Sequence, residues 1–532
     1  MVGVAAVVVL AVVTAFVLSR SGEEQRPLTF VDVAAQVGIE TTHSAFRWEM
    51  SMDPVAMMGG GLCWIDVDND GWLDLFVTDT WSNGEWGKWS ETGGLPTTKL
   101  FQNLEGTFSD VTESWGAGFE VRANGCAAAD LDGDGFTDLY VTTERENLLL
   151  WNEGGDRFRD GALEAGVQAY GWSTGVAAGD IDGDGLTDLV VAGYADLNRP
   201  VADAQTGFPN TFEPIADSVF LNMGGAKRST FASIDAGMEE AGFEYGLGTL
   251  LTDFDADGDL DLYVANDTQP NRLYENESMP GVVRLVDVSA ASGTDDPNSG
   301  MGIAIADADG DLLSDLVVTN LAGQGHMAVE RTSGLNFASA FSAVRELGTT
   351  ATGWGTSFGD FDNDGDNDLL VASGAIPIVT IGESSEALTF LRNENGDFVD
   401  DSAAVALDLL SDRNGRAVAI ADYDNDGDLD VAISAIGESL VLLENQSVGG
   451  DWLLVETSTP TPGLRVRVHC ESGLTMESTS SVGSSWLSSE DPRVHIGLPP
   501  GDPIRRVEVF AADGSLLFGG TPERNQILSI ED

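Results

Sequence analysis

Positive charge is what this sequence most lacks. Lys and Arg number 25 against 88 Asp and Glu, so the formal net charge is −63 over 532 residues. Nucleic-acid binding draws most of its affinity from basic side chains neutralising phosphates, and that class is excluded. Docking onto anionic lipid is excluded on the same ground. Cysteine is nearly absent: Cys63, Cys126 and Cys470 are too few for a disulfide framework in a chain this long. Cys63 lies three residues before an Asp-rich segment and Cys126 four before the next, which points them to opposite faces of their strands. All three are read as buried thiols. Histidine is also scarce, and His43, His326, His469 and His495 are scattered, as surface or packing residues rather than ligands. No HExxH, Walker, GxSxG or CxxC motif is present, and the chain is read as not an enzyme.

A long hydrophobic run occurs once, from Val2 to Leu18, before the charged flank Arg20 to Glu24. Its 17 residues sit at the lower limit for crossing a ~30 Å hydrocarbon core. No basic n-region or A-x-A site accompanies it. Residues 1–20 are therefore expected to be a hydrophobic helix, a signal anchor or a signal peptide. The rest is exported: tethered to the membrane through that helix only, or secreted or periplasmic if it is cleaved.

What the chain has in abundance is aspartate at fixed spacing. Asp66-Val67-Asp68-Asn69-Asp70-Gly71-Trp72-Leu73-Asp74 opens a series of seven. The second copy carries Asp130, Asp132, Asp134, Phe136 and Asp138. The third carries Asp180, Asp182, Asp184, Leu186 and Asp188, and the fourth Asp253, Asp255, Asp257, Asp259 and Asp261. Asp307, Asp309, Asp311 and Asp315 mark the fifth, where Leu312 replaces the glycine. Asp360, Asp362, Asp364, Asp366 and Asp368 mark the sixth, and Asp422, Asp424, Asp426, Asp428 and Asp430 the seventh. Positions 1, 3, 5 and 9 are Asp in all 28 instances.

Four carboxylates in nine residues repel one another unless a hard cation lies between them. Ca²⁺ takes six to eight oxygens at ~2.3–2.6 Å, a radius that alternate residues of a tight loop can reach. Glycine at position 6 permits the turn, and the carbonyl at position 7 (Trp72, Phe136, Leu186, Asp259, Asp366, Asp428) can complete the shell. Up to seven Ca²⁺ sites are expected, the fifth holding its cation least well. Position 12 is Val or Ile every time, where an EF-hand requires Glu. Each loop thus runs into a strand and is a hairpin connection.

The loops start 64, 50, 73, 54, 53 and 62 residues apart, room for four short strands and an insertion. That is the unit of a propeller blade. A small residue stands five positions before each loop (Gly61, Gly125, Gly175, Gly248, Gly302, Gly355, Ala417), as crowding about an axis requires. A later strand ends in Asn at Asn103, Asn152, Asn222, Asn276, Asn393 and Asn445. The seventh repeat lacks its outer strand, and Phe30-Val-Asp-Val33 supplies one from the N-terminus. The fold expected is all-β: a seven-bladed β-propeller over 27–449, closed by a shared blade, and a small all-β domain over 450–532.

The Asp loops with their preceding glycines resemble FG-GAP/VCBS-type repeats. That resemblance implies Ca²⁺ binding and a role in adhesion or ligand capture. Trp452-Leu-Leu-Val, Arg465-Val-Arg-Val and Ser488-Ser-Glu-Asp-Pro-Arg-Val-His-Ile-Gly497 resemble the ASPIC/UnbV domain that follows such repeats in bacterial exported proteins and in the cartilage acidic protein group. Ser478–Ser489, around Trp486, reads as a polar surface loop. Trp81, Trp86 and Trp89 in a blade-one insertion are candidate ligand contacts, since aromatic faces on a loop can stack on a sugar or anchor a protein. The insertion Gly193–Ser218 is a second candidate. The function expected is a binding or adhesion module for an extracellular protein or glycan. The alternatives are a polysaccharide lyase or hydrolase with its site on the propeller face, and an assembly factor for a surface complex.

Overall fold

Each Asp loop joins two antiparallel strands, and the register is the same in every copy. The residue before position 1 pairs with the Asp at position 9: Ile65 with Asp74, Ala129 with Asp138, Gly359 with Asp368, Ala421 with Asp430. The computed structural model describes residues 28–530 except 203, 205, 206, 239–241, 404, 406–412 and 448. The apolar run Val2 to Leu18 lies outside them. Among the described residues no helix is long and apolar enough to cross a membrane.

Seven four-stranded antiparallel sheets follow one another along the chain. The first is Leu62–Ile65, Asp74–Val77, Lys99–Asn103 and Phe108–Asp110, and the rest repeat that up-and-down order. First strands touch in a closed ring, from Leu62–Ile65 round to Gly415–Ala421 and back. The seventh sheet is completed by Phe30–Asp32, which pairs with Val441–Asn445 so that Phe30 faces Asn445 and Asp32 faces Leu443. The shared sheet is thus present, and it removes an edge that would otherwise template aggregation.

Close approach explains the glycines at the head of each first strand. A Cβ on Gly302 would lie 2.0 Å from the carbonyl oxygen of Trp354 in the next sheet. On Gly61 it would lie 1.7 Å from the carbonyl oxygen of Leu487, which belongs to the C-terminal segment.

That contact corrects one expectation. Ser478–Ser489 is no surface loop; its second half enters the axis of the ring. Trp486 and Leu487 are buried, and so are Ser484, Ser485, Ser488 and Ser489. Ser485 and Ile303 exchange backbone hydrogen bonds of 2.7 and 2.9 Å, and Ser489 donates to Leu62 while accepting from Trp64. Polar side chains are tolerated there because the backbone is satisfied by first-strand edges and the hydroxyls find donors and acceptors of their own. Serine is also small enough for an axis lined by glycine.

Beyond Asn445 the chain forms two further sheets. Asp451–Thr457 lies between Val494–Leu498 and Gln526–Ile530, the latter parallel. Arg465–Cys470 and Ile504–Phe510 are flanked by Thr475–Thr479 and Leu516–Gly520, two strands the sequence pattern does not reveal. Leu453, Val455, Val466, Val468, Val507 and Val509 fill their common core.

The cysteine reading is corrected as well. Cys63 and Cys126 form a disulfide across the first two sheets, with Cα atoms 6.2 Å apart. Opposite parity is what unites them, because successive sheets of the ring pack the front of one against the back of the next. Cys470 is a buried free thiol.

Candidate metal centres and binding surfaces

Backbone donors shape each Asp loop before any cation is considered. Asp66 accepts from Asp70 (3.1 Å) and Gly71 (2.9 Å), and Asp70 accepts from Trp72 at 2.9 Å, which draws the position-7 backbone over the loop. Asp74 accepts from Val67 (2.9 Å) and from Asn103 in the third strand (2.7 Å). Position 6 has φ between +68° and +101° in the seven loops, the left-handed region glycine enters without cost. Leu312 is held there too, at +68°, and donates to Asp307 at 2.9 Å as a glycine would. The fifth loop therefore keeps the shape of the others.

The Asn that ends each third strand, noted above only as a repeat mark, has a defined task. Its side-chain amide reaches the position-2 carbonyl of the preceding loop: Asn103 to Tyr423, Asn152 to Val67, Asn393 to Ala308 and Asn445 to Phe361, each 2.8 Å. Every loop so held is clamped by its neighbour. In the fifth sheet Arg331 takes the Asn place, donating its backbone N–H to Asp315 at 2.9 Å.

The carboxylates converge. In the sets Asp66–Asp68–Asp70, Asp130–Asp132–Asp138, Asp180–Asp182–Asp184, Asp253–Asp255–Asp261 and Asp307–Asp309–Asp311, one oxygen from each residue lies within 4.8 Å of the others. Oδ1 of Asp68, Asp255 and Asp259 is buried with no hydrogen-bond donor. Burial pushes Asp74, Asp261 and Asp315 up to about 8 and Asp188 to about 7, and repulsion from the other loop carboxylates adds to it. Asp138, Asp368 and Asp430 rise well above the ordinary range for the same reasons. Orphaned buried oxygens in a hard, all-oxygen donor set fit a divalent cation such as Ca²⁺, which positions 1, 3, 5 and 9 with the position-7 carbonyl would hold.

Among the described residues, two loops have motif carboxylates paired with an arginine that the motif does not disclose. Arg228 pairs with Asp132 and, at 2.9 Å, with Asp134, and its guanidinium lies 5.4 Å from the ring centroid of Trp151. Arg392 pairs with Asp362 and Asp401. Arg392 directly precedes Asn393 and could be read from the repeat, whereas Arg228 comes from a distant hairpin with no sequence signal. The C-terminal unit covers the sixth and seventh loops. His495 contacts the carbonyl of Gly427 at 3.0 Å, and Arg493 donates to Asp422 O and Asn425 Oδ1, both at 2.6 Å.

The tryptophans of the first insertion divide. Trp81 is buried. Trp86 is 57% exposed, at the start of a helix, Trp86–Thr92, where a loop was expected. Trp89 is half-buried and meets Trp48 edge to face at 4.4 Å, under the guanidinium of Arg47. The buried Glu85 carboxylate pins this group by accepting the backbone N–H groups of Arg47, Trp48 and Glu49.

Comparison with known proteins agrees with this architecture. An FG-GAP-like repeat model matches residues 66–141, 130–191, 253–318 and 307–371. Over those residues the chain carries FG-GAP-like repeats, and the sheets they belong to close in a ring. It is similar to cartilage acidic protein 1 of several vertebrates. It is 26% identical to the mouse protein and 27% to the human one, over 51% of this chain and 42% of theirs. Identity to the Xenopus tropicalis protein is 24%, over 77% of this chain and 64% of that one. The chain spans less than half the length of the mouse and human relatives. Among solved structures it is similar to an Agrocybe aegerita lectin that recognises non-reducing terminal N-acetylglucosamine (TM-score 0.40, 15% identity, 72% of this chain and 86% of that). It is also similar to a rhamnogalacturonan lyase (TM-score 0.33, 13% identity, 86% and 89%).

Proposed function

We propose that the chain is an exported, calcium-loaded, seven-bladed propeller that serves as a binding module for an extracellular protein or glycan. The observation that carries the binding role is the aromatic pair Trp48–Trp89, with exposed Trp86 on the same short helix as Trp89. It is exposed, yet fixed by Glu85, so a ligand meets it without ordering it first. The buried Cys63–Cys126 disulfide supports export, since such bonds persist in oxidising compartments. An acidic surface with few cations disfavours DNA, heparin and anionic vesicles as partners.

The test is to screen the calcium-loaded protein against immobilised glycans and extracellular proteins, reading binding and product release separately. Trp86→Ala removes a half-exposed side chain and should abolish capture without moving the melting temperature. Capture that survives this substitution, or turnover of a bound polysaccharide, would overturn the reading.

A further inference from the structure

The long insertion Gly193–Ser218 forms an extra hairpin, Ala195–Pro200 with Phe212–Pro214, at the rim of the ring opposite the Asp loops. It brings Phe208, 37% exposed, beside Tyr194, with ring centroids 5.8 Å apart. Tyr194 in turn meets Trp172 at 4.8 Å and Tyr245 at 6.0 Å. Behind these rings a cavity of about 110 Å³ opens at the axial mouth, lined chiefly by Met57, Met58, Tyr194, Phe208, Met301 and Trp354. Met58 and Trp354 also hold Trp486 at the tip of the axial segment, so the mouth is closed on the inner side.

One charged group lines this apolar cavity. Asp267 is 9% exposed, and its Oδ2 accepts from the Tyr194 hydroxyl at 2.6 Å. No Lys or Arg lines the cavity, and no ion pair among the described residues reaches Asp267. Arg416, the guanidinium that touches the lining from behind, lies 4.0 Å from the Trp354 ring centroid. It donates to Met57 O and Gly415 O, and its charge is set against Glu386. Asp267 is therefore a buried carboxylate without a counter-cation, ringed by π faces and thioethers. Burial raises its pKa, as expected when no cation stands near.

The geometry points to a binding site for a small organic cation, an alkylated ammonium group seated among Tyr194, Phe208 and the methionines against the Asp267 carboxylate. Aromatic faces attract such ions through the ring quadrupole, and more strongly when the ion is desolvated. A cavity in the range that holds a benzene-sized guest (~150 Å³) takes the head group alone. The chain's net charge of −63 concentrates cations at the mouth. The lining offers the acceptor Asp267 and the hydroxyls of Tyr194, Thr268 and Ser299, which gives an anion no charged donor.

The experiment titrates tetramethylammonium, choline and 3,3-dimethylbutan-1-ol, the neutral isostere of choline, into the full calcium-loaded chain in an amine-free buffer. Calorimetry and tryptophan fluorescence read the binding. Both cations should bind saturably, and the isostere about tenfold more weakly, which is ~1.4 kcal/mol. Asp267→Asn should weaken choline by a similar factor and leave the isostere unchanged. Phe208→Ala, at a partly exposed position, should weaken both cations, with the melting temperature read alongside to separate lost binding from lost folding. Absence of saturable binding, equal binding of choline and its isostere, or undiminished choline binding by the Asp267→Asn protein would each overturn the assignment.

Discussion

Trp486 meets the Trp354 ring edge to face, with centroids 4.9 Å apart, and donates its indole N–H to Met58 O at 3.1 Å. A residue of the C-terminal unit thus belongs to the same core cluster as residues from six of the seven sheets or their flanks. The core of the ring takes in Trp486 and Leu487 of the C-terminal unit, so damage at the contact should be felt by both units. Trp486→Ala deletes a fully buried indole and is expected to cost ~3–5 kcal/mol. A denaturant titration followed by intrinsic fluorescence should show one transition moved to lower concentration. Two separated transitions, with only the smaller displaced, would contradict the shared core.

Calcium should matter through mass action. Sites in extracellular modules bind at roughly 10⁻⁴–10⁻³ M. At ten to a hundred times Kd, each contributes ~1.4–2.7 kcal/mol of folded-state stability. Adding a chelator should therefore lower the melting temperature strongly. Asp182→Ala should remove one such increment, because among the described residues no guanidinium pairs with the third loop's carboxylates. Asp132→Ala should behave differently, since it also removes one of the two carboxylates paired with Arg228. A melting curve indifferent to chelator and to excess Ca²⁺ would exclude the metal assignment.

The repeats were legible because their cause is local. Four Asp at alternate positions, a turn glycine and a β-branched residue after Asp74 or Asp138 each declare loop and strand without help from distant residues. Ring closure was legible for the same reason, since Phe30-Val-Asp-Val33 copies the outer-strand pattern. The axial segment was not. Ser478–Ser489 has the composition of a solvated loop, and only Ile303, Leu62 and Trp64, far away in sequence, make it a buried one. The cysteines failed through geometry between elements: parity says which face Cys63 takes, but not that the facing sheet presents Cys126. Arg228 was invisible because it reaches the second loop from 94 to 96 residues away.

The disulfide closes a 63-residue loop between the first two sheets. Restricting the unfolded chain over that length is worth about 4 kcal/mol. Cys63→Ala combined with Cys126→Ala should lower the denaturant midpoint accordingly. In the parent protein, alkylation without reductant should label Cys470 alone after unfolding. Labelling of three thiols in freshly exported protein would contradict the bond.

Glu490 stands at the root of the axial segment, where it accepts hydrogen bonds from the hydroxyls of Ser357 and, at 2.9 Å, Ser484. Burial pushes its carboxyl up to about 7 from an ordinary 4.5, despite those donors and with Asp491 adding repulsion. The folded state thus holds a proton that the unfolded state releases above ~4.5. Where the folded state binds more protons, stability falls as pH rises. The contribution is complete below the unfolded value and is lost as pH passes through about 7. Its size is of the order of 3 kcal/mol across that window. At saturating Ca²⁺, melting temperatures measured between about pH 5 and pH 8 should decline more steeply for the parent than for Glu490→Gln. Glutamine keeps the acceptor for Ser357 or Ser484 but cannot ionise, so the two curves should converge at low pH and separate above neutrality. Parallel curves over the whole range would show that Glu490 is ionised in the folded protein and that the axial segment tolerates its charge.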